Sequence, residues 1–282
     1  MINLLIPSKD RASQLRFLLE SVSINMPSFF NEVRIIYTAS NEKFNEGYEK
    51  LKKEEILPNI VWQEEEDFIS DFFGYLESCE SEYLCGMVDD CVVYKSVPAG
   101  SEVIEQVMQD DSVFCFSLRM GLNITVQNYL NPSMIVELRK YQENDIGIRW
   151  NWKEWTDTLN FGYPISLDGH IYRTEEIRDL STQRKYDCLR DWEGGVAKLC
   201  RKTMQRNNMS SFKQSILFSI PSNCVQDPPL VSGQVFNFSP EEMNDRYLNN
   251  EVISFSKMQY AFQNVNWSHN EVRLIFEELS DA

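Results

Sequence analysis

Residues 83–94 read Tyr-Leu-Cys-Gly-Met-Val-Asp-Asp-Cys-Val-Val-Tyr. Two apolar runs of strand character flank two adjacent aspartates, Asp89 and Asp90. A carboxylate pair beside a strand core is costly unless a positive or hydrogen-bonding group meets it. The groups that suit it are a divalent cation carrying phosphate, a ribose hydroxyl, or an arginine or lysine. Hard cations keep water and take phosphate oxygens as further ligands.

Upstream of the pair, strands and helices alternate. Ile2–Ile6 is a short apolar run ended by Pro7. Leu15, Leu18, Leu19 and Val22 then recur on one helix face. Val33–Tyr37 predicts a second strand, and Phe44–Lys53 a charged helix with Tyr48 and Leu51 inward. Ile60–Gln63 predicts a third strand, Phe68–Leu76 an aromatic helix, and Tyr83–Val88 a fourth strand that ends at Asp89 and Asp90. Such alternation implies a mostly parallel, Rossmann-like twisted sheet with right-handed crossovers. In open sheets of this kind ligands gather at the C-terminal strand ends. Pro7-Ser8, Thr38-Ala39-Ser40 and Asp89-Asp90 all fall there. Neither GxGxxG nor GxxxxGK[ST] occurs, so no dinucleotide fingerprint and no P-loop is present.

The second half is less regular. Ser101–Gln109 predicts a helix, Val113–Leu118 a strand, and residues 190–205 a helix that contains Gly194-Gly195. Trp150, Trp152 and Trp155 lie close together; such a cluster is more often core than sugar platform, although aromatic faces suit sugar rings and the spacing does not separate the two. The acidic run Glu64-Glu65-Glu66-Asp67 reads as a solvated loop. Residues 219–238 read as loop. Ser239-Pro240-Glu241-Glu242 is a helix start, with Ser as N-cap and Pro at the first position.

The 282 residues suit one α/β domain with an elaborated second half. Formal net charge is −16, which argues against a nucleic-acid groove while leaving room for a local basic pocket. Seven cysteines show no metal spacing and read as reduced thiols of a cytoplasmic protein. No apolar run is long enough for a spanning helix. The first residues, Met-Ile-Asn-Leu-Leu-Ile-Pro, read as a strand and not as a signal peptide. Two histidines, His170 and His269, lie outside any ligand cluster, so the residues alone make zinc a weak reading.

In order along the chain stand Ile6-Pro7-Ser8-Lys9-Asp10-Arg11, Tyr37-Thr38-Ala39-Ser40-Asn41 with Gly47-Tyr48, Asp67-Phe68 with Asp71, and Val88-Asp89-Asp90. Ser117-Leu118-Arg119-Met120-Gly121 and Phe161-Gly162-Tyr163-Pro164-Ile165-Ser166-Leu167-Asp168-Gly169-His170 follow. Asp191-Trp192-Glu193-Gly194 and Asn266-Trp267-Ser268-His269-Asn270-Glu271 close the series. With these pieces the chain resembles GT-A-fold glycosyltransferases over nearly its whole length, in particular a family 2-like bacterial and viral group that builds polysaccharides.

The resemblance implies a single GT-A domain over 1–282, with a nucleotide-sugar-binding half (1–95) and an acceptor-binding half (96–282). It implies a nucleotide-diphosphate sugar donor, held by Pro7, Ser8, Arg11, Ser40, Asp71, Asp89 and Asp90. Asp89 and Asp90 match a DxD-type motif that holds ribose and a divalent cation, Mn²⁺ or Mg²⁺. Cys91 stands where DxD places its last aspartate, and a thiol is a poor ligand for Mg²⁺. Two arrangements stay open: Asp90 takes the metal, or the metal is weakly bound or dispensable. His269 matches a late histidine near the metal or diphosphate. Asp168, Gly169 and His170 fall on the acceptor side, with a flexible glycine between two polar groups. Glu193 matches the general base of inverting members, which removes the acceptor proton as the new bond forms. The implied reaction is inverting transfer of a hexosyl or deoxyhexosyl unit to a glycan or glycolipid, with peripheral membrane contact through a lipid-linked acceptor.

Two other classes stay in view. A nucleotidyltransferase also places carboxylates at the end of a parallel sheet, although its first loop is usually glycine-rich and this one has no glycine. A catalytically silent sugar-nucleotide-binding subunit is kept alive by Cys91.

Overall fold

A computed structural model of the chain describes residues 1–97, 100–126, 137–155, 160–225, 235–236 and 238–279. In chain order the strands are β1 Ile2–Lys9, β2 Val33–Thr38, β3 Ile60–Glu64, β4 Tyr83–Gly86, β5 Cys91–Val93, β6 Val113–Ser117, β7 Gln142–Glu143, β8 Gly147–Asn151, β9 His170–Arg173, β10 Asn208–Phe212, β11 Leu217–Ser219, β12 Glu251–Ile253 and β13 Phe276–Glu278. The helices are α1 Ala12–Asn25, α2 Glu42–Lys53, α3 Phe68–Ser78, α4 Ser101–Met108, α5 Thr174–Ser181, α6 Leu189–Thr203, α7 Pro240–Leu248 and α8 Gln259–Phe262.

Among the described residues nine strands form one sheet in the order β3-β2-β1-β4-β9-β6-β10-β8-β7. Only β8 and β9 run against the others. This is the α/β, mostly parallel architecture that the sequence predicts. Small ribbons, β5 with β11 and β12 with β13, attach beside it. Helices flank the sheet, with α3 against β2, α4 against β6 and α5 against β9.

The local signals explain these elements. Leu15, Leu18, Leu19 and Val22 of α1 are all buried, and each such side chain stabilises the fold by roughly 1.5–3 kcal/mol. Asn41 caps α2 by accepting from the Phe44 N–H, and Phe44, Tyr48 and Leu51 face inward. Asp67, the last of the acidic run, caps α3 by accepting from Ser70 N–H. Ser239 caps α7 at the Glu242 N–H, ahead of Pro240. Trp150 and Trp152 are buried, so the tryptophan cluster is core.

Among the boundaries that differ from the sequence reading, two lie at the strand ends that face the site. β1 runs through Pro7 to Lys9. The side on which Pro7 lacks a donor is that of β4, whose pairing with β1 ends at Leu5 opposite Gly86, so no ladder bond is lost. β4 in turn stops at Gly86, two residues before Val88. A turn closed by the Cys91 N–H on the Val88 carbonyl at 3.0 Å replaces its expected end.

Two glycines hold the middle of the sheet together. Gly169 has φ +77°, and a Cβ there would sit 1.9 Å from Leu217 Cδ2. Its N–H donates to Gly86 O at 2.7 Å, and its carbonyl accepts from Leu118 N–H at 2.8 Å. A Cβ on Gly86 would meet Leu167, at 2.3 Å from its Cδ2 and 3.1 Å from its Cα. The close approach of the two chains fixes the entry to β9, and Gly169 is a pinned bend where the sequence suggested a flexible one.

Candidate active site

Asp89 and Asp90 occupy the centre of the turn between β4 and β5, at the C-terminal ends of the parallel strands. The positive group that meets them is Arg11, in the loop between β1 and α1. Its Nη1 lies 2.8 Å from Asp89 Oδ1 and 3.6 Å from Asp90 Oδ2. Its Nε and Nη2 donate to the Asn223 side chain and carbonyl at 2.8 and 2.7 Å. The other Asp89 oxygen accepts from Ser8 Oγ at 3.0 Å. Tyr48 braces the loop, its hydroxyl 2.8 Å from Ser8 Oγ and accepting from the Arg11 N–H at 3.2 Å. A buried arginine shared by two carboxylates is stable only with such a full set of partners.

Asp90 is less well served. Burial pushes its carboxyl up to about 6; Arg11 counters this, while the like charges of Asp89 and Asp168 add to it. Cys91 points elsewhere. It is buried in β5, its Sγ 3.5 Å from Ser219 Oγ, and burial raises its thiol well above the ordinary range. It offers the turn no ligand.

A second set of groups comes from the second half of the chain. The ribbon β5–β11 places Ser219 beside the segment around His269, where Ser219 N–H donates to Ser268 O and Asn270 N–H to Ser219 O, both at 2.9 Å. This long-range pairing brings His269 to Asp168. One oxygen of Asp168 receives both His269 Nε2 at 2.9 Å and Arg119 Nη1 at 2.7 Å. Burial would raise the Asp168 carboxyl, but the hydrogen bond and charge of His269 and the charge of Arg119 win, and it is held well below the usual carboxylate range. Arg119 is 3% exposed.

Glu193 stands in the second turn of α6. Trp192, the residue before it, anchors the helix: it is buried, its Nε1 donates to Ser181 Oγ at 2.9 Å, and it packs edge-on against Phe72 at 5.0 Å. Glu193 Oε1 accepts from the Leu167 N–H at 2.8 Å. Burial pushes its carboxyl up to about 7, and Asp168 raises it further, against the Leu167 N–H and Arg119. A carboxylate poised near neutrality is suited to take a proton from a hydroxyl.

The structure thus brings Ser8, Arg11, Asp89 and Asp90 into one network, and Asp168, His269 and Glu193 into another within electrostatic reach of it. Other candidates lie apart. Pro7 is half-buried in β1. Ser40 is exposed, its N–H donating to Asp10 Oδ1 at 2.7 Å. Asp71 ties α3 to the end of β3, accepting from Gln63 Nε2, Glu66 N–H and Asp67 N–H. His170 is corrected most clearly. It is 0% exposed, inside the sheet opposite Ser117, and burial lowers its imidazole to about 3. Its ring is core and does not face an acceptor.

Sequence reasoning gave no site role to Arg119, Asn223, Tyr48 or Asp10, and read Tyr48 only as an inward-facing helix residue. Arg119 lies in the Ser117–Gly121 stretch, but its partner Asp168 is 49 residues away. Asn223 is 212 residues from Arg11, and no local signal marks it.

Among the described residues, no group of three or more His, Cys, Asp or Glu side chains is arranged to hold a metal. Both oxygens of Asp89 are engaged, and both ring nitrogens of His269 are too, with Ser268 Oγ 3.2 Å from Nδ1. Asp90 is the carboxylate that suits a hard cation, as a single protein ligand whose remaining positions fall to phosphate and water. A larger depression, about 480 Å³, lies between α5 and α6 and is lined by Arg173, Glu176 and Arg206 among others. It contains none of these groups.

No protein-family model and no curated protein matches the sequence. Among solved structures the chain is similar to TarS from S. aureus, with 11% identity and a TM-score of 0.47, covering 78% of this chain and 37% of TarS. It is also similar to the mannosyltransferase PcManGT from Pyrobaculum calidifontis, solved with GDP-Man and Mn²⁺: 8% identity, TM-score 0.42, 76% of this chain and 54% of that one. A third is glucosyl-3-phosphoglycerate synthase from Mycobacterium tuberculosis, solved with Mn²⁺, UDP and glucosyl-3-phosphoglycerate: 10% identity, TM-score 0.45, 78% and 71%. The chain therefore spans well under two thirds of TarS and of PcManGT.

Proposed function

We propose that the protein is a glycosyltransferase that moves a sugar from a nucleotide-diphosphate donor to a glycan or glycolipid hydroxyl with inversion. The observation that carries this reading is Glu193. A half-buried carboxylate held near 7, its Oε1 fixed by the Leu167 N–H, is costly to the fold and useful to proton transfer. That favours an enzyme over a silent binding subunit.

In the proposed reaction the donor lies across the C-terminal ends of β1, β2 and β4, with Arg11, Asp89 and Asp90 beneath its diphosphate. The acceptor hydroxyl approaches Glu193. Its proton passes to the free Glu193 oxygen as the acceptor oxygen attacks the anomeric carbon. The bond from that carbon to the diphosphate oxygen breaks, and the electron pair leaves with the diphosphate. The Leu167 N–H fixes the orientation of the Glu193 carboxylate, and Asp168 keeps it basic. Arg119 and His269 hold Asp168 ionised and in place. Three aspartates against two arginines leave this region net negative, and a diphosphate adds like charge. A divalent cation on Asp90 would supply the missing positive charge to the diphosphate.

Thermal-shift titration of the wild type with UDP, GDP and their sugar conjugates tests donor binding, since a ligand of the native state raises stability as RT ln(1 + [L]/Kd). The reading expects at least one nucleoside diphosphate to stabilise the protein, more strongly with Mn²⁺. A flat response to the whole panel would remove it.

A further inference from the structure

Asp10 stands between two of the strand ends that meet the proposed donor, and it carries a charge that its structural contacts do not require. It follows β1 with φ +55°, in the left-handed region that glycine, asparagine and aspartate enter most readily. Its N–H donates to Thr38 O at 3.1 Å, and its Oδ1 accepts from the Ser40 N–H at 2.7 Å. These two bonds tie the loop after β1 to the end of β2. An asparagine would make both, in the same backbone conformation, without a charge. Asp10 is 7% exposed, and a carboxylate buried without a cation is costly. Among the described residues no cation pairs with it, and its Oδ2 has no hydrogen-bond partner yet is not sealed from solvent. Arg11, the next residue, turns the other way, to Asp89 at 2.8 Å in the turn after β4. The strand order β2-β1-β4 therefore puts an unmet carboxylate oxygen on one side of β1 and the guanidinium with its aspartates on the other. The outer two of these strands are about 10 Å apart, a span that suits a nucleoside diphosphate with its phosphates by Arg11 and its nucleobase by Asp10.

We infer that Asp10 is a specificity-determining residue that reads the nucleobase of the donor, and that the donor is a uridine or guanosine diphosphate sugar. This rests on the donor reading above. An ionised carboxylate only accepts hydrogen bonds. Uracil N3–H, and guanine N1–H with its 2-amino group, are donors at the pairing edge of the base. Cytosine N3 and adenine N1 are acceptors at the same place, and a carboxylate repels them. A ribose hydroxyl both donates and accepts, so an asparagine would serve it as well as an aspartate. Only a group that donates calls for the charge.

Calorimetric titration with UDP, CDP, GDP and ADP, each with Mn²⁺, tests this on the wild type and on Asp10→Asn. UDP and CDP differ only at the pairing edge, and GDP and ADP do the same for the larger ring. The wild type should bind UDP at least about tenfold more tightly than CDP, or GDP than ADP, the worth of one charge-assisted hydrogen bond. Asp10→Asn keeps both ties to β2 and offers the base an amide N–H instead of a carboxylate oxygen. That ratio should then fall at least about tenfold, with Tm unchanged or raised because a buried charge is gone. A wild type that favours CDP or ADP, or that distinguishes within neither pair, overturns the inference without recourse to a variant. A loss in Asp10→Asn that is equal for all four nucleotides places the contact on the ribose and contradicts it. A lowered Tm in the variant shows that the charge serves the fold, and overturns it as well. If no nucleotide binds the wild type, the donor reading itself has failed, a result separate from binding without base selection.

Discussion

Glu193→Gln removes one proton-accepting oxygen and nearly preserves shape, and the site predicts opposite consequences for activity and stability. With its carboxyl at about 7, Glu193 is half ionised at neutral pH, so kcat/KM should rise through an acid limb centred near there. In Glu193→Gln transfer should fall ~10²–10⁴-fold, the usual share of general-base catalysis, and the limb should vanish. Stability moves the other way. The folded pKa lies above the 4.5 of an ordinary glutamate. Between about 4.5 and 7 the native state therefore binds more protons than the unfolded state, and stability falls as pH rises. The difference amounts to about 3 kcal/mol by pH 8. A glutamine never pays this cost. Urea denaturation should find Glu193→Gln equal to wild type at pH 5 and about 1–3 kcal/mol more stable at pH 8. Near-normal transfer, or a variant less stable than wild type at both pH values, would refute the assignment of a half-buried, poised base.

Three further substitutions probe the surrounding network. Arg11→Met should cost about 3–5 kcal/mol by strand-ing Asp89 and Asp90 without a cation in a buried corner; a urea midpoint equal to wild type would show that the pair does not hold this corner. Asp168→Asn removes a like charge that raises Glu193, so the acid limb of the pH–rate profile should move below 7, and an unmoved limb would separate the two residues. Gly169→Ala forces a Cβ onto Leu217 at φ +77° and should destabilise by about 1–3 kcal/mol, read as a lowered Tm; an unchanged Tm would mean the bend is not pinned.

How much of this was legible in the sequence depends on the range of each interaction. The periodicity of Leu15, Leu18, Leu19 and Val22, the Asn41 and Ser239 caps, and the apolar runs of the first four strands are local, and they placed the sheet and its C-terminal edge. Asp89 and Asp90 were visible because an acidic pair after a strand demands a partner. That the partner is Arg11 follows only from the fold, which returns the β1–α1 loop to the β4–β5 turn. His170 was placed on the acceptor side by its position in a resembling motif, while the register of β9 between β4 and β6 buries it. His269 reaches Asp168 through a strand-like contact with Ser219, and no nearby residue announces that pairing. Glu193 was identified by its place in a resemblance, but its raised pKa comes from burial and from Asp168, neither of which a linear motif displays.

The central claim is that a sugar is transferred from a nucleoside diphosphate, with Glu193 as base. The most direct measurement is product identification by mass spectrometry and ³¹P NMR after incubating wild type and Glu193→Gln with a panel of UDP- and GDP-sugars, glycan acceptors and Mn²⁺. The account predicts a nucleoside diphosphate and a glycosylated acceptor from the wild type, with both products suppressed in Glu193→Gln. Release of pyrophosphate from a nucleoside triphosphate and a sugar phosphate, with no nucleoside diphosphate from any conjugate, would contradict it and make the protein a nucleotidyltransferase.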